Sequence, residues 1–437
     1  MAGSLTNNEK EKKQHQFRIL NQQALKNFAE LFYASKRANE KQAQSYWKEV
    51  EKIGFKSFQD SEWHCTRLLK VLSPKYKLNS DNIITIDKLK KIDISIDGWK
   101  IILFDGCFIS AFNSDNFGPY QIQIMDTTEN LPPPIMKEEI FLYLTESLAA
   151  QPILIKLPDN QHAEKPLYIL NVTSGSNNRD YVNTSHYRYH LDIGSNCKSQ
   201  VIEHFSSAND KPHLTGSRLT ANIGNNSYFT HIKLSIENNQ SNHFSNNDIF
   251  VGENAQMKSS GIFIGSEFFR QHTNVKLNGS NSKLILNSLL LPKNIEIVDV
   301  RAHVEHNKPF CKSSLLHKTI VMDESKSIFN GMIKVAPQAL KSNSKMLNNN
   351  LLFGKQAEIK SKPQLEIYAD DVKCSHGVTV SCIDNDQLFY LRSRGVCLND
   401  AKYILMIGFA SEIIKSIDIE CVSDKITSII QQHLTQI

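Results

Sequence analysis

The feature that most constrains this chain is a run from about residue 165 to 383 in which short strand-like segments follow one another and almost no long helical pattern intervenes. The segments "LYILNVT", "HYRYHLDI", "SQVIEHF", "SYFTHIKLSI", "NDIFVG", "SSGIFIG", "SKLILNSLLL" and "SIFNGMIKV" are separated by clusters of Asn, Ser, Gly and Asp. Those residues supply turns. So many short strands with polar turns leave a sandwich, a barrel or a solenoid. The stretch is long for one sandwich, and asparagine recurs at strand ends, as in "NVT", "SNC", "GNNS", "NGS" and "LNNNLL". In a stacked coil such asparagines can ladder their amides or take the left-handed turn conformation. A solenoid over residues 161–384 is the expected core.

The flanks read differently. Residues 1–82 form an expected N-terminal helical region. In "FRILNQQALKNFAELFYAS", Phe17, Leu20, Ala24, Phe28, Leu31 and Phe32 recur at three- and four-residue spacing, one face of an amphipathic helix. "QSYWKEVEKIGF" comes next, with Trp47, Val50 and a stop at Gly54. Packing of a helical cap is the plain reading, a binding role the sharper one. Residues 83–160 read as a mixed lead-in. "IITI", "IDISIDGWKIILFDGCFIS" and "YQIQIM" predict strands and hairpins at Asp-Gly turns, and after "LPPPI" a short helix is expected over "KEEIFLYLTESLAA". Residues 385–437 return to helix. "DNDQLFYLRSRG" begins with capping residues and ends on Gly395; "LNDAKYILMIGFASEIIKSI" has Asn399 or Asp400 as cap; "SDKITSIIQQHL" closes the chain. These helices must bury an apolar face, on the solenoid or in a partner's groove.

Composition narrows the function. A net charge of +5 over 437 residues, with no dense Lys/Arg face, gives little reason to expect nucleic acid. No apolar run reaches the roughly 18 residues that span a bilayer, and "MAGSLTNNEKEKKQHQF" lacks the apolar core of a secretory signal, so the expectation is a cytoplasmic protein away from membranes. Eight cysteines are scattered with no C-x-x-C, which fits thiols in a reducing compartment. No P-loop, G-x-G-x-x-G, H-E-x-x-H or G-x-S-x-G pattern occurs. His303 and His306, near Cys311, form a weak H-x-x-H metal pattern; surface or turn histidines are the plainer reading.

One stretch remains, "YADDVKCSHG", Tyr368 to Gly377, which gathers two carboxylates, a thiol and an imidazole. If it is extended, Val372, Cys374, His376, Val378 and Val380 share one side and Lys373, Ser375 and Thr379 the other. Such a row fits a core strand. A thiol and an imidazole two residues apart could instead hold a soft metal such as iron, with the other ligands supplied from elsewhere or by a partner.

The stretch "KPQLEIYADDVKCSHGVTV", with "LFYLRSRGV", "GFASEIIKSI" and the upstream "EHNKPFCKSSLLHKTIVMDESKSIFNGMIKV", closely resembles the SufD subunits of the Suf iron–sulfur cluster assembly machinery. The resemblance is nearly continuous from about 300 to 415 and thins through the middle. At the N-terminus "SEWHCTRLLKVL" echoes a family element, with Cys65 where tyrosine is usual. "VTVS", Val378 to Ser381, stands where the family usually has Ala-Thr-Val-Gly. The resemblance implies a right-handed parallel β-helix flanked by N- and C-terminal helices, hence a mainly β fold. It implies a homologous SufB-like partner and a SufC-like ABC ATPase docked on the C-terminal helices, with nucleotide belonging to that ATPase. Leu388, Phe389, Tyr390, Arg392, Arg394 and Phe409 are the expected docking residues. His376 is implied at the interface with the SufB-like chain, where it helps build or hold a nascent iron–sulfur cluster. Cys374 is the neighbouring thiol, and Asp370 and Asp371 are candidates to orient the imidazole or simply to form a turn. No cofactor is expected on the isolated chain, flavin on the complex is left open, and the chain is expected to be a scaffold and not an enzyme. Two other readings stand beside it: a carbohydrate-active β-helix lyase or hydrolase, and a purely structural homodimer formed when the chain is alone.

Overall fold

The computed structural model describes residues 7–55, 63, 68–78, 83–128, 131–136 and 138–435. Cys65 of the N-terminal family element lies outside the described residues.

Successive strands alternate between two parallel sheets and wind into a β-solenoid of about 7 turns with helices at both ends. Val182–Ile193, His213–Ile223 and Asn242–Val251 stack in one sheet; Lys198–Ser207, Tyr228–Ile236 and Gln256–Ile264 stack in the other. The pairing is in register, so each residue sits on its equivalent in the coil before: Tyr228 lies on Lys198 and under Gln256. Along every strand one row faces inward, where Ile169, Val201, Leu219, Ile249, Leu284, Val304 and Ile333 form a continuous buried core.

The asparagines at the corners do what their positions suggested, whereas Asn171 of "NVT" and Asn348, Asn349 and Asn350 of "LNNNLL" lie inside strands Leu167–Thr173 and Asn343–Leu352. Asn160, Asn196, Asn226, Asn254 and Asn281 all have positive φ, between 54° and 61°. Their side chains form a ladder in which Asn196 donates to Asn160 at 2.9 Å, Asn226 to Asn196 at 3.1 Å, Asn254 to Asn226 at 3.2 Å and Asn281 to Asn254 at 2.9 Å. An asparagine tolerates the left-handed turn and hands its amide to the next coil, so one residue type serves corner and register together. Asn254→Ala keeps the corner but places alanine at φ 54° and removes two amide bonds. The expected cost is about 1–2 kcal/mol, and Asn254→Gly, which relieves the backbone, recovers part of it. Urea midpoints of the two variants check this; equal midpoints for wild type and Asn254→Ala would mean that the ladder does not stabilise the coil.

The helices are α1 (Asn7–Ala34), α2 (Lys41–Ile53), α3 (Leu68–Leu72), α4 (Ile86–Ile92), α5 (Ile140–Leu148), α6 (Asn385–Ser393), α7 (Leu398–Lys415) and α8 (Glu420–Thr435). In α1, Phe17, Ala24, Phe28 and Phe32 are buried as their spacing predicts, and Phe32 stacks on Trp47 of α2 at 5.1 Å. Helix α5 is buried on every side and lies on the first sheet, where Phe141 stacks on Phe244. Its Glu146 is buried between Arg188, 3.0 Å away, and Arg218, 3.1 Å away, and Arg218 also reaches Asp248 at 2.6 Å. Helices α7 and α8 lie along the outer face of the second sheet, packing Met406, Ala410, Ile413, Val422, Ile426 and Ile430 against Ile232, Leu234, Ile262, Leu289 and Ile320.

Three expectations need correction. Residues 83–86, "IITI", are not a strand: Ile83 is 88% exposed and Ile86 opens α4. Four residues are too few to specify a strand against the helix that starts at Ile86, whose Leu89 and Ile92, three apart on one face, pack with Ile84 on the coil. The cap of α7 is Cys397, whose sulfur accepts from the Asp400 amide, and not Asn399 or Asp400. His306 is neither surface nor turn. It is a core residue of strand Ile297–His306, bonded to Ser313 at 2.9 Å, and Cys311 is buried beyond it. Of the two expected Asp-Gly hairpins one is present, with positive φ at both Asp105 and Gly106 between paired strands Trp99–Phe104 and Cys107–Phe108, whereas Asp97–Gly98 follows irregular chain at 93–96 and joins no pair of strands.

Candidate functional site

The last coil is made by strands Glu358–Ile367 and Lys373–Cys382. The first pairs with Lys326–Val335 and the second with Asn343–Leu352; among the described residues neither has a neighbour on its other edge. The coil cannot continue, because Asp384 caps α6 immediately afterwards, its carboxylate accepting from the Asp386 amide at 2.9 Å. Two ten-residue strands therefore present unpaired backbone at one end of the solenoid.

Register decides which side chains sit at that end. Ser344, Met346, Asn348 and Asn350 point into the core, and their parallel partners are Cys374, His376, Val378 and Val380. The row read from alternation is thus an inward-facing row, yet no further coil covers it among the described residues. Val378 is 39% and Val380 52% exposed, His376 is exposed, and Cys374 is half-buried against the core. Ile367 and Tyr368, at the end of the companion strand, are exposed too. The result is an apolar rim with an imidazole and a thiol set into it.

Burial pushes the Cys374 thiol up, against a smaller opposing pull from the Ser344 amide, so it meets a ligand as a protonated thiol and not a ready thiolate. Among the described residues no hydrogen bond joins the His376 ring to Asp370 or Asp371. The Asp371 carboxylate pairs with Lys341, and its carbonyl accepts from the Lys341 amide at 2.7 Å, tying the last corner to the one before. Asp370 is exposed. No cluster of three His, Cys, Asp or Glu residues able to hold a metal occurs among the described residues. His376 and Cys374 are two donors of an incomplete set.

The six expected docking residues divide. Helix α6 buries none of its residues: Phe389 is 74% and Tyr390 58% exposed, Arg392 and Arg394 are exposed with Arg394 over the Tyr390 ring, and Leu388 is half-buried. Phe409 instead lies against the second sheet, with the Lys318 ammonium 4.7 Å from its ring centre. Sequence reasoning missed the rim formed by Ile367, Tyr368, Val378 and Val380. The signal was present: the strand run stops one residue before a helix cap, so Lys373–Cys382 had to be the final rung.

The model of the SufBD core domain of the SUF iron–sulfur cluster assembly system matches residues 172–409. That span covers all but the first of the coils, the open end and most of α7. The chain belongs to the SufBD family. It is 40% identical over 412 residues to the iron–sulfur cluster assembly protein SufD of Escherichia coli, covering 94% of this chain and 97% of that one. A SufBD family protein of Synechocystis is 26% identical over 287 residues, 64% of this chain and 63% of its own length. A Mycobacterium leprae member is 29% identical over 201 residues, 44% of this chain and 51% of its own. Membership in this family, and not a lyase-like groove, accounts for the coil.

Proposed function

We propose that this chain is a non-catalytic scaffold subunit for iron–sulfur cluster assembly, completed by a homologous SufB-like chain seated on its open end. The observation that carries the reading is the terminal coil, which leaves two strand edges unpaired and turns an inward row containing Cys374 and His376 to the outside. A homologous coil end supplies what that surface lacks: backbone partners for the edges, apolar cover for the rim and the remaining ligands. His376 then stands at the interface as a donor to a nascent cluster, which is cargo for the assembly. An imidazole nitrogen is a weaker, more labile ligand than a thiolate, which suits a cluster that must leave. Helix α6, with Phe389 and Tyr390 uncovered, is the surface offered to a SufC-like ABC ATPase, whose closure on nucleotide would move the two scaffold chains. A cytoplasmic place for the complex agrees with the finding that no described helix is long and apolar enough to cross a membrane.

The test is anaerobic co-expression with SufB- and SufC-like chains. His376→Ala is expected to lower iron and acid-labile sulfide in the purified complex several-fold while subunit stoichiometry stays the same. Unchanged cluster content would leave His376 as a rim residue without a ligand role. A second copy of this chain could occupy the open end when partners are missing, since any strand edge satisfies the first requirement. Dimers of the isolated chain that dissolve on adding the SufB-like chain would show one shared surface.

A further inference from the structure

The outer face of the second sheet carries a feature that the scaffold role leaves unused. Near the starts of its strands a groove of about 470 Å³ is lined by Lys258, Lys283, Lys312 and Lys345, with Tyr228 and Ile285 in its floor. Asp418 is the acidic residue of the lining, and it is taken up by Lys258 at 2.6 Å. Among the described residues Lys283, Lys312 and Lys345 make no ion pair, and all three are exposed.

Register makes this more than a scatter of surface lysines. Lys283 and Lys312 are direct neighbours in adjacent coils, and the same row continues through Asn343 to Lys373 on the terminal coil. The second row runs from Lys258 through Ile285 and Ser314 to Lys345. Coils stack about 4.8 Å apart, so Lys283 and Lys312 carry like charges at a spacing that opposes folding. At other positions on the coil the fold supplies a counter-charge, as where Lys276 meets Glu305 and Lys326 meets Glu358. In the groove it supplies none beyond Asp418. The groove thus carries a local excess of positive charge that an acidic partner can neutralise.

We propose that the groove receives an extended acidic segment of the protein that caps the open end. The adjacent ammonium groups of Lys283 and Lys312 in one row and that of Lys345 in the next fit a strand-like peptide lying along the coil axis, whose acidic side chains would reach both rows while an apolar one rests on Tyr228 and Ile285. Charge complementarity and continuity single out that occupant: the first row ends at Lys373, on the strand that carries Cys374 and His376. A chain seated on the open end can pass a segment back over that edge and along the groove. This proposal rests on the reading of the open end as a partner surface.

The test uses the full-length chain alone, so that its outcome is separable from capping. A fluorescein-labelled octaglutamate peptide is titrated by anisotropy at low and physiological salt against wild type, the triple variant Lys283→Glu/Lys312→Glu/Lys345→Glu and a control, Lys41→Glu/Lys48→Glu, on the exposed face of α2 away from both the groove and the open end. The groove variant is expected to bind about tenfold or more weakly than wild type, the control to match wild type, and salt to erase the difference. Equal affinity of the groove variant and wild type overturns the proposal. So does displacement of the peptide by millimolar pyrophosphate that itself binds only the wild-type groove, which would make this a small-anion site. Far-UV circular dichroism of the triple variant must match wild type; if it does not, the single variant Lys312→Gln, expected to weaken binding about twofold, decides in its place.

Discussion

Carrying Val378→Asp and Val380→Asp together, the chain is expected to fold as before and to lose the SufB-like partner proposed for its open end. Both valines are substantially exposed at the end of the coil, so the isolated fold has little to lose, and surface changes of this kind usually stay within about 0.5 kcal/mol. A partner covering the rim would bury two carboxylates among Ile367, Tyr368 and the core. An unpaired buried charge costs several kcal/mol, and even a loss of about 3–4 kcal/mol weakens association by two to three orders of magnitude. Size-exclusion chromatography of co-expressed chains, with circular dichroism of the isolated variant, reads both halves of the expectation. Co-elution as in wild type would put the partner elsewhere and detach His376 from any interface.

A second large effect is acid lability. Burial lowers His186, His272 and His317 to about 3, and His204, His213 and His306 to about 4, from an ordinary 6.5. A histidine whose folded value is depressed is protonated first in the unfolded chain, so its contribution is intact above 6.5 and declines as pH falls below it. For a folded value of about 3, the cost at pH 5 is about 2 kcal/mol. Glu203 and Glu237 add loss of the same sign further down. Burial alone would raise them, but Lys233 and His231 on the first and His243 on the second outweigh it and hold both at about 2, so their stabilisation fades as pH falls below 4.5. Glu296 and Asp299 act oppositely, raised by burial to about 7 and about 6, and their share is lost as pH rises through those values. The six histidines outweigh the two acids, so stability is expected to level off above about pH 7 and to collapse between 6 and 4. Urea midpoints at half-unit pH steps check the profile, and a midpoint that stays level from 7 to 5 contradicts it. His317→Gln, which keeps a polar group beside Ser288, is expected to flatten the acid limb.

How much of this was legible depends on the range of the interaction that fixed it. The asparagine corners could be read because the conformational tolerance that selects them is a property of a single residue. Helices α1 and α2 could be read because their apolar spacing repeats within a few residues. Helix α5 was recognisable, but Glu146 in "LYLTESLAA" looks like the polar face of a surface helix. Its partners Arg188 and Arg218 stand 42 and 72 residues away, and only the folded chain reveals a buried carboxylate between two guanidinium groups. The open end shows the same division. Alternation placed Cys374, His376, Val378 and Val380 on one side correctly, since that depends on local backbone geometry. Whether another coil would cover them is decided by the path of the chain beyond Cys382, and a row facing a core and a row facing a partner are spelled with the same residues.

Helices α7 and α8 cross the coils from the rung of Ile232 to that of Ile320, and Lys318 fastens to the Phe409 carbonyl and the Glu412 carboxylate on the way. Each coil of a solenoid touches only its neighbours, so small bends can accumulate coil by coil along the stack. A pair of helices bound across several layers acts as a splint on a stack of coins. A push delivered at the C-terminal end is shared among the coils and reaches the open rim as displacement of a stiff body, with little of it spent in bending along the way.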